Sequence, residues 1–425
     1  MRSVGMIGRV RPHACALLAL TAFVGCVHAP SWMVRRAVTG EDVARVLDEP
    51  AATERPLTPS DIPAIPVRNG LRPCCAFGMR LGASIGPVPV PFFTLSNIIG
   101  LDQVGPHTYD AEPFSASASS KLDAFMREND ALLYTCRGGF IDLAHVRDNA
   151  DWTLFWSAAI ARASLTGATI ELPSEGGARR VHLHPLPPDL VGRYGLRRVA
   201  ITVAQWLAFE LSVWHEIATT YGWSAIELYP EYLSAFSPED LYSNLLGIKI
   251  AGGLLINAGE EETDVLYDRH MDEWLRATLA YLQPVSADAG AEAMRLIDGV
   301  WWDSHARLPD PRLVLRRYTD AGAQLTPWVV SRAYASPAMQ AWVDRHCAGA
   351  EHPLTLRRGS AMDGHEVKDI ATLEIDVHVP DPFPFPRLGS TRITQEDFPV
   401  VLQAVRRYGI DRLGPNALRP ERTAE

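Results

Sequence analysis

Leu196 to Thr220 reads LRRVAITVAQWLAFELSVWHEIATT, the longest helical pattern in the chain. Past Arg197 and Arg198 nearly every position is apolar, so other elements must wrap this helix on most sides. At 100° per residue its polar exceptions, Gln205, Ser212, His215, Glu216, Thr219 and Thr220, share one sector of roughly 140°. A solvent face would ordinarily carry Arg or Lys. This stripe carries small polar groups with one His and one Glu, which predicts either a polar contact with a neighbouring helix or a site.

Outward from it, further helical spacings run over Ser119–Asn129, Phe140–Ser164, Thr263–Leu282 and Ala289–Trp301. Ser237-Pro238-Glu239-Asp240 reads as a helix start, with Ser as N-cap, Pro next and an acid at the third position, leading to about Asn257. Ala168–Leu172 and Arg180–His184 flank Pro173-Ser174-Glu175-Gly176-Gly177 as a hairpin, and Thr372–Val379 alternates like a strand. The predicted fold class is therefore mainly α with a small β component (α+β), a single large helical domain over residues 67–385. A C-terminal helix and tail fill 386–425. With 425 residues and 47% hydrophobic content the chain can bury a real core, and wholesale disorder is excluded. A net charge of -10 gives no footprint for a phosphate backbone, so no nucleic acid partner is expected.

Arg2, Arg9, Arg11 and His13 precede the apolar run Ala14–Val24, a charged n-region and short h-region of an export signal over residues 1–25. The run is too short for an ordinary spanning helix. It ends in Phe23-Val24-Gly25-Cys26, which resembles the bacterial lipobox, with Phe23 where Leu is usual. Acylation of Cys26 would hold the mature chain on a membrane. Val27 after it is not the Asp of an inner-membrane retention signal, so the outer membrane, facing the periplasm, is expected. A cleaved signal with an incidental Cys is the plainer reading. Residues 26–66, with Pro30, Pro50, Pro56, Pro59, Pro63 and Pro66, have the composition of a tether. In an oxidising compartment Cys74, Cys75, Cys136 and Cys347 allow three pairings, which spacing does not rank.

His215-Glu216 resembles the start of the zincin helix, in which His binds zinc and Glu is general base, but Thr219 stands where the second His belongs. Asp142, His145 and Asn149, read as i, i+3, i+7 on a helix, offer a substitute ligand in His145. The bland alternative is an Asp142–His145 hydrogen bond in a polar core. Glu239 lies where a carboxylate third ligand would come from, whereas the capping pattern already accounts for Asp240. Glu227 and Glu231 are equal to it by chain distance. Ser243, Asn244 and Gly247, one turn apart, suit a small-residue contact face. Gly138-Gly139 hints at free N–H groups for an anion, and Cys136 with His145 or His215 at thiol chemistry. His182, His184, His270 and His365 read as structural or exposed. No Gly-x-Ser-x-Gly elbow, phosphate loop or dinucleotide fingerprint is present.

The segments Leu71–Cys75, Gly138–Arg147, Trp214–Trp223 and Ser234–Gly247 together resemble an uncharacterised family of bacterial lipoproteins, classed as a domain of unknown function, over about Ile65–Pro311. The resemblance implies a lipoprotein address and no activity. The expected function is an envelope-anchored metal-dependent hydrolase with His145, His215 and Glu239 as metal ligands and Zn as the metal. Glu216 would be the base, Asp142, Asn149 and Thr219 would support the site, and an envelope peptide or ester would be the substrate. The competing class is a non-catalytic outer-membrane scaffold or binding module whose polar stripes specify helix packing.

Overall fold

The computed structural model describes residues 37–48, 64–68, 71–72, 76–85, 88–90, 97–111, 123–124, 126–224, 231–257, 264–331, 336–350, 352–359, 361–381, 383–384 and 391–420. The leader, Cys26, Cys74, Cys75 and Glu227 lie outside the described residues, as does much of the expected Ser119–Asn129 helix. Contacts separate residues 1–37 from one compact body, Val38–Glu425.

The helices are α1 (Gly40–Asp48), α2 (Leu143–Arg162), α3 (Pro188–Tyr194), α4 (Leu196–Thr220), α5 (Asp240–Asn257), α6 (Asp264–Tyr281), α7 (Ala287–Leu296), α8 (Pro337–His346) and α9 (Phe398–Leu413). The strands are short: β1 (Ser84–Ile85), β2 (Val88–Pro89), β3 (Leu132–Thr135), β4 (Gly139–Asp142), β5 (Ala168–Leu172), β6 (Gly177–Leu183), β7 (Gln324–Leu325), β8 (Leu356–Arg357), β9 (Ala361–Met362), β10 (His365–Glu366), β11 (Ala371–Val377) and β12 (Arg392–Thr394). The result is a mainly helical α+β fold.

Three helices, α2, α4 and α5, pack on one another and form the centre. All three are buried almost end to end, which the apolar run of α4 requires. The Ser243, Asn244 and Gly247 face is the α5–α2 contact. Ser243 Oγ accepts from Asp142 N at 3.0 Å, and Asn244 Oδ1 accepts from Asn149 Nδ2 at 2.6 Å. A Cβ on Gly247 would stand 1.9 Å from Val146 O, so the two backbones approach too closely for any side chain there.

The antiparallel sheet β12-β11-β6-β5 covers one side of α4. Val181, Leu183, Leu373 and Ile375 point into the core, while Arg180 and Glu374 pair on the outer face at 2.7 Å. A second core gathers around the β3–β4 hairpin, with Phe77, Tyr134, Phe140, Trp301, Trp302 and Trp342. Cys136 in the hairpin turn is bonded to Cys347 after α8, which removes the thiol reading of Cys136.

Three further expectations are corrected. The helix read from Phe140 begins at Leu143. Gly139, at φ +67°, closes a tight turn back to Thr135, and Phe140–Asp142 pair as strand β4. Gly138 N already donates to Thr135 Oγ1 at 2.9 Å, so the anion reading of the Gly pair falls. The tether composition also conceals a docked helix. In α1, Val43, Val46 and Leu47 recur at helical spacing and are buried against α5 and α6. No helix among the described residues is long and apolar enough to cross a membrane.

Candidate metal centre

Asp142 is where strand β4 stops and α2 starts. Its Oδ1 accepts from Ala144 N at 2.8 Å and His145 N at 3.2 Å, the N-cap arrangement that satisfies otherwise unpaired helix donors. It is therefore a cap and not a residue of the helix face. Its Oδ2 lies 3.2 Å from His145 Nδ1, so the group that starts the helix also orients the imidazole. His145 Nε2 then faces Glu216 Oε1 on α4 at 3.3 Å, with Asp240 Oδ1 at 3.9 Å. The other Glu216 oxygen accepts from Phe236 N at 2.7 Å.

His215 precedes Glu216 on α4 and is held from its far side. Its Nδ1 meets Glu175 Oε1 at 2.5 Å, and Glu175 is pinned in turn by Arg179. The His145 and His215 rings stand 6.1 Å apart edge to face, and Trp223 packs edge-on against His215 at 5.8 Å. One ligand atom from each of His145, His215 and Glu216 can be chosen so that all lie within 4.8 Å of one another. Donors on one tetrahedral zinc stand about 3.4 Å apart, so the His145–Glu216 spacing already fits and His215 needs only a small approach. An imidazole whose second nitrogen is fixed by a carboxylate is the usual outer shell of a metal-binding His. Glu175 supplies it for His215 through a hydrogen bond, and Asp142 stands at ion-pair distance behind His145.

The electrostatics separate the carboxylates. Burial pushes Glu216 up, but the hydrogen bond from His145 and the charges of His215 and His145 outweigh it and leave Glu216 below its ordinary value. Glu175 is lowered likewise, burial being overcome by Arg179 and His215. Glu239 goes the other way. Burial, then the Asp142 charge, raise it to about 8, and its Oε2 has no hydrogen-bond partner among the described residues. It is a neutral acid at pH 7.

The structure thus brings His145, His215 and Glu216 together and leaves Glu239 out of that group, with Oε1 accepting from Ser237 Oγ at 2.9 Å. In this group Glu216 takes the place expected for Glu239. Asp240 reaches nearer to His145 because its cap contacts with Ser237 aim it across the helix start. Asn149 bridges α2 to α5, and Thr219 is buried with its Oγ1 unpaired among the described residues. Glu175 escaped the sequence reading because it sits among turn residues. Its only signal was Arg179 four residues on.

His145, Asn149, Trp152, Glu175 and His215 line a cleft of about 30 Å³, room for an ion and a water. Arg72 and Asp148 close one wall and belong to a buried ionic cluster. Arg72 pairs with Glu128 at 2.7 Å, Asp148 at 2.8 Å and Asp151 at 3.0 Å, and Arg68 pairs with Asp148 at 2.6 Å. The cluster fastens Arg68 and Arg72 onto α2 beside the cleft.

Residues 62–331 match the profile of a family described as "Protein of unknown function (DUF4056)". The match covers more than half of the chain, and the chain belongs to that family. No curated protein and no solved structure matches it.

Proposed function

We propose that this member of the DUF4056 family binds a divalent metal, zinc being the best fit, through His145, His215 and Glu216 and uses it for hydrolysis. The carrying observation is the convergence of two imidazoles and one carboxylate within 4.8 Å, each imidazole held from behind by a carboxylate at 3.2 or 2.5 Å. A bound divalent ion would polarise a carbonyl and acidify water toward neutral pH. The chain's own groups do the rest. Asp142 and Glu175 stand behind the two imidazoles and orient them. Phe236 N holds Glu216 in place. Glu216, expected as base, becomes a ligand, and we assign Asp240, 3.9 Å from His145 Nε2, as the base that takes the water's proton and returns it to the leaving group. At about 30 Å³ the cleft admits a carbonyl and a water, so the body of an envelope peptide or ester would lie outside it.

The export signal and lipid anchor at Cys26 belong to the same proposal, and the Cys136–Cys347 bond supports an oxidising compartment. The test is elemental mass spectrometry on protein purified from the periplasm without chelator, beside a His145→Ala/His215→Ala double variant of intact near-UV circular dichroism. About one equivalent of metal in the wild type and none in the variant is expected. A wild type that stays metal-free after zinc is added overturns the reading. The direct His145–Glu216 contact then becomes helix packing, and a non-catalytic scaffold is the function to pursue.

A further inference from the structure

The largest cavity among those described is remote from the metal centre. It measures about 390 Å³, within the range of small-molecule sites, and lies where α3, α4, α5 and the β8–β9 segment meet. Gln205 and Trp206 of α4 line it, ten and nine residues before His215. At 1.5 Å per residue that is about 14 Å along the helix. The polar stripe of α4 therefore serves two places: Ser212 and His215 line the cleft, and Gln205 lines this cavity.

The lining is cationic in a chain of net charge -10. Among the described residues that line it, Arg198, Lys249, Arg357 and Arg358 stand beside two carboxylates, Asp48 and Asp363. Asp363 is engaged by Arg193, which does not line the cavity. Arg358 is paired with Glu210, yet its Nε, like that of Arg198, is a buried donor with no acceptor among the described residues. Both guanidiniums are set by stacking, Arg198 over Tyr194 at 5.0 Å and Arg358 over Phe209 at 4.6 Å. Lys249 sits in the middle of α5 at 6% exposure. Trp206 and Met362 add an apolar wall. Rigid guanidinium forks with idle donors suit a phosphate oxygen set better than a lone charge would.

We infer that this cavity is a second ligand site and takes an organic phosphomonoester, its dianion on Arg198, Lys249 and Arg357 and its organic body against Trp206. Cationic side chains from α4, α5 and the β8–β9 segment around one cavity favour a dianion over a monocarboxylate. The indole wall selects an organic ester over inorganic phosphate.

The test is isothermal titration calorimetry of the full chain at low salt with phenyl phosphate, inorganic phosphate and benzoate as probes. Phenyl phosphate should bind at one equivalent, more tightly than either other probe, and weaken as salt rises. Arg357→Gln, at an exposed position that folding tolerates, and Lys249→Met should each lower its affinity about tenfold or more, and the distant Arg312→Gln should leave it unchanged. No binding at about 10 mM phenyl phosphate overturns the site. So does binding that survives both cavity variants. Inorganic phosphate or benzoate binding as tightly as phenyl phosphate overturns the ligand class. None of these readouts involves metal or hydrolysis.

Discussion

Glu239 and Glu216 are carboxylates of one buried neighbourhood with opposite acidities. Glu239 is raised from its ordinary value to about 8 by burial and Asp142, so the fold favours its neutral form. That contribution is full below about pH 4.5 and is lost as pH rises through 8. Glu239→Gln, neutral at every pH, should therefore gain on the wild type between pH 5 and pH 9, by a few degrees in Tm at the alkaline end. Thermal melts across that range check it. A constant offset between the two proteins would mean that Glu239 is ionised in the fold. The lowered Glu216 and Glu175 act in the other direction, since their contribution is lost as pH falls below the ordinary carboxylate range. Both proteins should lose stability together in acid. At this scale His145, His215 and Glu216 were legible because an isolated His and Glu in an apolar helix are conspicuous. The choice between Glu239 and Asp240 was not, since adjacent residues on a helix start differ by 100° and only packing against α2 decides which one arrives.

At the scale of elements, the cores of α2, α4 and α5 were readable from 3.6-residue periodicity, and the hairpin of β5 and β6 from its Gly-rich turn. The start of α2 was not. Phe140 and Ile141 suit a strand and a helix equally, and what settles them is Gly139 turning the chain so that β4 pairs with β3. Helix α1 was hidden for a related reason, a short amphipathic stretch read through the prolines around it. The small-residue face of α5 has a sharp consequence. Gly247→Ala would drive a methyl into the Val146 carbonyl and force α5 away from α2, moving the Asp240 end relative to His145. A loss of about 3 kcal/mol or more is expected in urea unfolding. A cost under about 1 kcal/mol would show that the two helices can part without strain.

For the whole molecule, the family-matched span is not the whole fold. It ends at residue 331, yet β11 and β12, from beyond that point, complete the sheet on β6, and α9 packs on α4. A chain cut after residue 331 would leave β6 as an open edge beside an uncovered α4, and it should aggregate where the full chain stays in solution. Light-scattering of the two expressed side by side checks this, and a soluble, cooperatively melting shorter chain would refute it. The second core and its disulfide tie residue 136 to residue 347, a separation of 211 positions that crosses the same boundary. A protease that nicks the chain once anywhere between the two cysteines makes two fragments that still migrate as one species until a reductant is added. That single covalent link means a cleaved molecule keeps its parts at hand.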